Sequence, residues 1–268
     1  MTGHIIMLRA LARHHRARIV HHQRIPFTLW RQVCRRVELL RRLTAAERAR
    51  LRLLATLFLH DKSLNGVQGL VLSREMEVII AAQACVLILN LGLDQFDGWR
   101  EVVVYPDAFR VPREVPDDIG LVEEEEQVLD GESWQRGPVI LSWASIAQEL
   151  AGGRAGRNLV LHEFSHKLDM LNGRANGFPP LHPEMDLQRW TAVLSRAFER
   201  LQAQVIHHEA ACIDDYAATD PAEFFAVISE YFFMEPRLLH HYCEDVYEQL
   251  RAYYRQHPLR RWPAHRSQ

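Results

Sequence analysis

The chain has 268 residues, 48% of them hydrophobic and 25% charged, an ordinary globular composition with enough apolar material for a substantial core. Thirty-two Lys and Arg against 34 Asp and Glu leave a formal net charge of -2, which gives no reason to expect a nucleic-acid partner or a membrane surface. Cys34, Cys85, Cys212 and Cys243 are scattered without a C-x-x-C pair, and Ile5 to Leu8 is too short for the apolar region of a signal peptide, so four free thiols in a cytoplasmic protein are expected.

The charge is unevenly spread. Ten Arg fall between Arg9 and Arg42, whereas Glu123 to Glu126 is a run of four acids. Both read as solvated surfaces, with a docking surface for an anionic partner as the alternative for the basic end.

In chain order, Arg31 to Leu43 and Ala45 to Leu59 place apolar residues at helical spacing: Val33, Val37 and Leu40 in the first, Leu51, Leu54, Leu57 and Phe58 in the second. Thr44, three residues before Glu47, marks the second start as a capping box. Asn65-Gly66 breaks the pattern. A short strand, Leu70-Val71-Leu72, is then expected before a buried helix from about Glu75 to Asn90. The apolar stretch Val78 to Leu93 comes nearest to a membrane span, but Gln83 and Asn90 interrupt it and it falls short of about 20 apolar residues. From Val102 the texture changes to strand and turn, with strands at Val102 to Pro106 and Val139 to Trp143 separated by Gly131, Gly137 and Pro138. After Gly156 the chain is helical again: Asn158 to Leu171, Asp186 to Gln204, Pro221 to Phe233 and Val246 to Tyr254. The expected class is α+β, a helical N-terminal part and a small mixed sheet followed by helices.

The segment His162-Glu163-Phe164-Ser165-His166 contains H-E-x-x-H. On a helix the two His project from one face and can reach a single metal, with Glu163 close enough to take a proton from water held there. Two neutral imidazoles and a carboxylate suit Zn²⁺ and leave a coordination position open. Leu159, Val160, Leu161, Phe164 and Leu168 make the other faces apolar, so the helix is buried, and a charged Glu163 inside it would be costly without a metal or a pairing partner.

A third protein ligand is needed. The long metzincin pattern requires Gly at 169 and a His or Asp at 172, where this chain has Asp169 and Asn172. A Glu from a later helix is the other architecture. Asp220 as N-cap and Pro221 at the first helical position start such a helix, with Glu223 on its first turn and Glu230 two turns on. Glu223 could instead complete a capping box with Asp220 or simply favour the helix N-terminus. From spacing alone, Glu223 and Glu230 are equal candidates.

The residues 162 to 173, together with Tyr-Ala-Ala-Thr-Asp-Pro-Ala-Glu-Phe-Phe-Ala-Val-Ile-Ser-Glu-Tyr-Phe-Phe at 216 to 233, resemble the Mlc titration factor A family of bacterial zinc peptidases. The second segment is also similar to the catalytic domain of anthrax lethal factor, in which a Tyr precedes the metal-binding Glu by seven residues. Tyr216 and Glu223 have that separation, so the resemblance selects Glu223 as the third ligand. Segments 26 to 30 and 131 to 143 also look family-like. The resemblance implies a basic extension at 1–23, a single zincin-like (gluzincin) metallopeptidase domain at 24–260 and a tail at 261–268.

It further implies a peptidase, with aminopeptidase action among its possible modes, in which Glu163 is the general base and Tyr216 a hydrogen-bond donor to the oxyanion. A peptide would add to an exposed sheet edge beside the metal helix, for which Val139 to Trp143 is the natural candidate. Asp169, one turn after His166, could orient a ligand imidazole or be a helix-surface acid. His182, His207, His208, His240 and His241 read as surface residues. The family takes its name from sequestering a transcriptional repressor of sugar-uptake genes, so a repressor protein is an expected partner beside peptide substrates. The rival classes are a non-catalytic regulator-binding protein with a structural or vestigial zinc site, and hydrolysis of a non-peptide amide or ester by the same ligands. In the binding class, the basic N-terminal region and the stretch Arg251 to Arg266 are candidate docking surfaces.

Overall fold

The computed structural model describes residue 14 and residues 16–262 except 108, 117–121, 130 and 134–136, and between 108 and 136 only the backbone. After a helical stretch at 16–23, the helices are α1 (Phe27–Arg36), α2 (Glu38–Arg41), α3 (Ala45–Asp61), α4 (Arg74–Leu87) and α5 (Trp143–Leu150). They continue with α6 (Leu159–Asp169), α7 (Leu187–Ile206), α8 (Pro221–Met234), α9 (Pro236–Tyr242) and α10 (Glu244–Tyr254). The fold is mainly helical with a small sheet. Among the described residues, no helix is long and apolar enough to cross a membrane.

Strands β1 (Ser63–Gly66), β2 (Glu101–Tyr105) and β6 (Val139–Ser142) run parallel, and β5 (Gly131–Ser133) joins β6 antiparallel, giving the order β1-β2-β6-β5. Strands β3 (Phe109–Pro116) and β4 (Val122–Leu129) form a separate antiparallel pair. The acidic run Glu123 to Glu126 lies in β4, where its side chains fall outside the described residues.

Three local expectations are corrected. The strand expected at 70–72 is absent: Gln68 and Gly69 take positive φ in a turn, Leu70 N–H bonds Val67 O at 3.0 Å, and Val71 is 87% exposed. The sheet is instead entered earlier, at Ser63 to Gly66, across the Asn65-Gly66 pair read as a breaker. Val139 to Ser142 is an interior strand rather than the edge, and Trp143 opens a helix that Ser142 caps through the Ser145 N–H at 3.2 Å. The helix expected at 31–43 begins at Phe27 after Pro26 and breaks at Val37, whose extended φ of -90° and ψ of 113° leave Val33, Val37 and Leu40 all buried. An apolar spacing of four then three survives such a break, so periodicity could not reveal it.

The capping box at α3 forms as expected: Thr44 Oγ1 accepts from Glu47 N at 3.2 Å and Thr44 N donates to Glu47 Oε2 at 2.8 Å. Helix α4 is buried throughout Val78 to Leu87, which accounts for its uninterrupted apolar run without a membrane. Helix α6 turns Phe164 into an edge-to-face cluster with Phe58, Phe96 and Trp99 at ring separations of 5.3–6.3 Å. Each such pair contributes about 0.5–1.5 kcal/mol beyond area burial. Helix α8 is buried on the other side against Trp190, Tyr253 and Tyr254. Both helices are thus fixed by packing on their far faces, leaving their facing sides to polar chemistry.

Candidate metal centre

Asn158 starts α6 by accepting Leu161 N–H at 2.9 Å, and one turn later His162 and His166 leave the same face with ring centroids 4.9 Å apart. Asp220 starts α8 by accepting the N–H groups of Ala222 and Glu223 at 2.8 and 3.0 Å, with Pro221 at the first helical position. That start aims Glu223 across the gap at the histidine pair. The carboxylate is therefore not spent on a reciprocal cap.

His162 Nε2 and His166 Nε2 are 3.3 Å apart, and Glu223 Oε2 is 3.0 Å from the first and 3.5 Å from the second. Glu223 Oε2 nevertheless makes no hydrogen bond of acceptable geometry. The three atoms lie close enough together for one metal ion to reach all of them. Ligands about 2.0–2.1 Å from a tetrahedral metal sit roughly 3.3 Å apart, so this triangle has the dimensions of a metal site. These three form the one potential metal-holding group of His, Cys, Asp and Glu among the described residues. Burial opposes ionisation of Glu223, but the two imidazoles outweigh it and hold its carboxyl well below the usual range.

Glu230 does not join the triangle. Its Oε1 is 2.8 Å from His162 Nδ1, and its Oε2 accepts Asn158 N–H at 2.5 Å. This carboxylate fixes the ring orientation of His162 and ties α8 to the first turn of α6. Asn158 in turn donates to Gln83 Oε1 on α4 at 2.6 Å.

Asp169 is neither a surface acid nor hydrogen-bonded to an imidazole. Fully buried, it accepts the N–H groups of Asn176, Gly177 and Phe178 at 2.7 Å each. Gly177 has φ +74° and lies so close to Pro221 that a Cβ would sit 2.4 Å from its carbonyl oxygen. Asp169 thereby braces the end of α6 against the start of α8, and so braces Glu223. His166 Nδ1 is buried and has no partner among the described residues.

Glu163 is 3% exposed on the same helix. Tyr216, in a short 3-10 turn at Asp215–Ala218, has its ring 6.1 Å from that of His162. Burial first, then the carboxylates of Glu223 and Glu163, push its phenol above the ordinary value, so it stays a neutral donor. Lys167 donates to Gly137 O at 2.9 Å, which pins α6 to the entry of β6.

The remaining histidines stand apart. His207, His208 and His241 are exposed as expected, whereas His240 is half-buried and His182 Nε2 pairs with Tyr253 O at 2.8 Å. The sequence reading did not find Asp214, Arg154, Arg157 or Tyr231 near the centre. Asp214 carries an N-cap signal before Tyr216, but its long-range partners leave no trace in local pattern.

The profile of the glucose-regulated metallo-peptidase M90 family matches residues 11–255. The chain belongs to this family of metallopeptidases. Over 228 residues it is 44% identical to the Mlc titration factor A of Salmonella arizonae, covering 84% of this chain and 90% of that protein. The Mlc titration factor A proteins of Salmonella paratyphi B and Salmonella typhimurium are also 44% identical, over 84% of this chain and 85% of theirs. The resemblance noted from residues 162 to 173 and 216 to 233 is thereby borne out along most of the chain. The donor set, two imidazoles and a carboxylate, fits the metal that this membership implies.

Proposed function

We propose that this family member is a zinc-dependent peptidase, with His162, His166 and Glu223 as the metal ligands. The observation that carries the reading is the triangle of ligand atoms 3.0–3.5 Å apart, the spacing of donors around one metal ion. Zinc, when bound there, supplies a Lewis acid that polarises the scissile carbonyl and acidifies the attacking water. Glu163 takes that water's proton and returns it to the leaving amine. Tyr216, neutral and beside His162, donates to the oxyanion that develops on the carbonyl. Glu230 keeps His162 in the tautomer whose Nε2 lone pair is available.

The substrate is an extended peptide. Strand β5 ends the sheet among the described residues, and both β5 and β6 pack on α6, so a peptide added antiparallel to β5 would lie along the metal helix. The relatives' name, Mlc titration factor A, supports a second reading, in which the same chain also binds a repressor protein in the cytoplasm.

Metal analysis of the purified chain, paired with a peptide library of free and blocked N-termini, tests the first reading. The expected result is about one zinc per chain and hydrolysis abolished by His162→Ala or His166→Ala; a preference for free N-termini would assign aminopeptidase action. A wild-type chain that neither contains nor takes up zinc would overturn it.

A further inference from the structure

Tyr216 sits in a turn whose Ala217 is buried against α7 and α8, but the chain leading into that turn is exposed. Residues 207–211 before it are exposed or half-buried, His208 has φ +54°, and the turn that carries Tyr216 is only four residues long. A donor that must meet a developing oxyanion within a few tenths of an ångström needs a firmer mount.

Asp214 supplies it. Its Oδ1 accepts Tyr216 N–H at 3.2 Å and its backbone carbonyl accepts Ala217 N–H at 3.0 Å, which fixes the turn from the front. Its other oxygen, Oδ2, lies 3.1 Å from Arg154 Nη1 and 3.5 Å from Arg157 Nε, an ion pair without hydrogen-bond geometry. The Asp214 side chain is only 12% exposed, whereas those of Arg154 and Arg157 are 70% and 44% exposed, so the shielded partner is the carboxylate. The ring of Tyr231, the neighbour of Glu230 on α8, is set beside Asp214, close enough for the Asp214 charge to act on its phenol. Gly156 admits that ring: with φ +83°, a Cβ there would lie 2.7 Å from Tyr231 Cζ. Arg157 immediately precedes Asn158, the cap of the metal helix.

We propose that Arg154, Arg157 and Asp214 form a clasp that holds Tyr216 at its working distance from the metal ligands. They are positioning residues that touch no substrate and act through Tyr216. The path Asn158–Arg157–Asp214–Tyr216 references the donor to the helix that carries His162 and His166, while Tyr231 references it to the helix that carries Glu223. The proposal rests on the peptidase reading of Tyr216, and its test keeps the two apart.

The test is a double-mutant cycle on the full, zinc-loaded chain with its best library peptide. Arg154→Ala combined with Arg157→Ala should lower kcat about tenfold with KM within about twofold, and leave zinc content unchanged. Affinity for a phosphinate analogue of that peptide, measured by calorimetry, should fall by a similar factor. Restoring Arg154 and making Arg157→Lys should recover most of the rate. In the Tyr216→Phe background the same pair of substitutions should cost nothing further, because the group being positioned is gone. An additive loss in that background, or a wild-type kcat for the pair alone, overturns the clasp. Should Tyr216→Phe itself turn over at the wild-type rate, Tyr216 leaves the mechanism and the clasp falls with it. If the alanine pair does not fold, Asp214→Asn, which keeps the cap oxygen and removes the charge, runs the same cycle.

Discussion

Replacing Glu230 with Gln, beside the same change at Glu223, separates an orienting acid from a ligand. Glu230 serves two donors at once, His162 Nδ1 through Oε1 and Asn158 N–H through Oε2. A glutamine has one acceptor oxygen and one donor nitrogen. In Glu230→Gln one of the two N–H groups must therefore face another N–H, in a pocket where Glu230 is only 4% exposed. A buried donor left unsatisfied costs about 1–3 kcal/mol. For a chain of this size each kcal/mol lowers Tm by roughly 2–4 °C. Loosening a ligand imidazole typically weakens metal binding about 10- to 100-fold, and Glu230→Gln should fall in that range. Glu223→Gln removes one of three ligand atoms and should lose more than about 100-fold, and it also costs the metal-free fold the attraction between this carboxylate and the two imidazoles. Zinc competition against a chromophoric chelator gives the affinities, and melts with chelator and with zinc give the stabilities. Zinc lost from Glu230→Gln and retained by Glu223→Gln would refute the assignment.

Tyr216→Phe should keep zinc and fold while lowering kcat by about 10²-fold, because it deletes one donor used chiefly in the transition state; steady-state kinetics on the best library peptide decide it. Thiol labelling at pH 8 should find Cys212 reacting fast, since it is exposed, while burial holds Cys85 far above that pH and pushes Cys34 up to about 11. Peptide mapping after brief alkylation checks the order, and early modification of Cys85 would contradict the packing. Gly177→Ala should lower stability by at least about 1 kcal/mol and weaken zinc binding, because its Cβ collides with Pro221 O at the start of the helix that carries Glu223; a melt and a zinc titration read both effects.

The two helices that carry the candidate ligands were legible in the sequence because their signals are local. Asn158, Asp220 and Pro221 mark starts, and the four-residue spacing of His162 and His166 fixes a shared face. The capping box at Thr44 and Glu47 was readable for the same reason. The choice between Glu223 and Glu230 was not, since both lie on nearly one face of α8 and only the packing on α6 brings Glu223 to His162 Nε2 and Glu230 to His162 Nδ1. Likewise the acids that brace the site, Asp169 and Asp214, look like ordinary caps or surface groups until residues 176–178 and 154–157 fold back on them. The sheet was the least legible part. Leu70-Val71-Leu72 has the better strand composition, but Ser63 to Gly66 wins because it follows α3 directly and meets β2 in register, with Val67 N–H adding a bond to Val104 O at 3.0 Å.

Whether the metal centre serves catalysis or only partner binding turns on Glu163, and one substitution divides the two. Glu163 stands outside the ligand triangle, so Glu163→Gln should leave zinc affinity within a few-fold of wild type. It replaces the base with a group that cannot accept a proton, so peptide hydrolysis should fall by about 10²- to 10⁴-fold, the usual contribution of general-base catalysis. Binding of a repressor protein needs surface complementarity rather than proton transfer and should persist. Parallel measurements of zinc content, peptide turnover and repressor affinity on one preparation therefore distinguish three cases. Hydrolysis lost with binding kept assigns separate chemistry and docking to the chain. Both lost, with zinc and Tm unchanged, places the partner in the active-site cleft itself. Wild-type, zinc-loaded protein that cleaves nothing in a broad library yet binds a repressor tightly would refute the enzymatic reading, leaving the triangle of His162, His166 and Glu223 as a brace between α6 and α8.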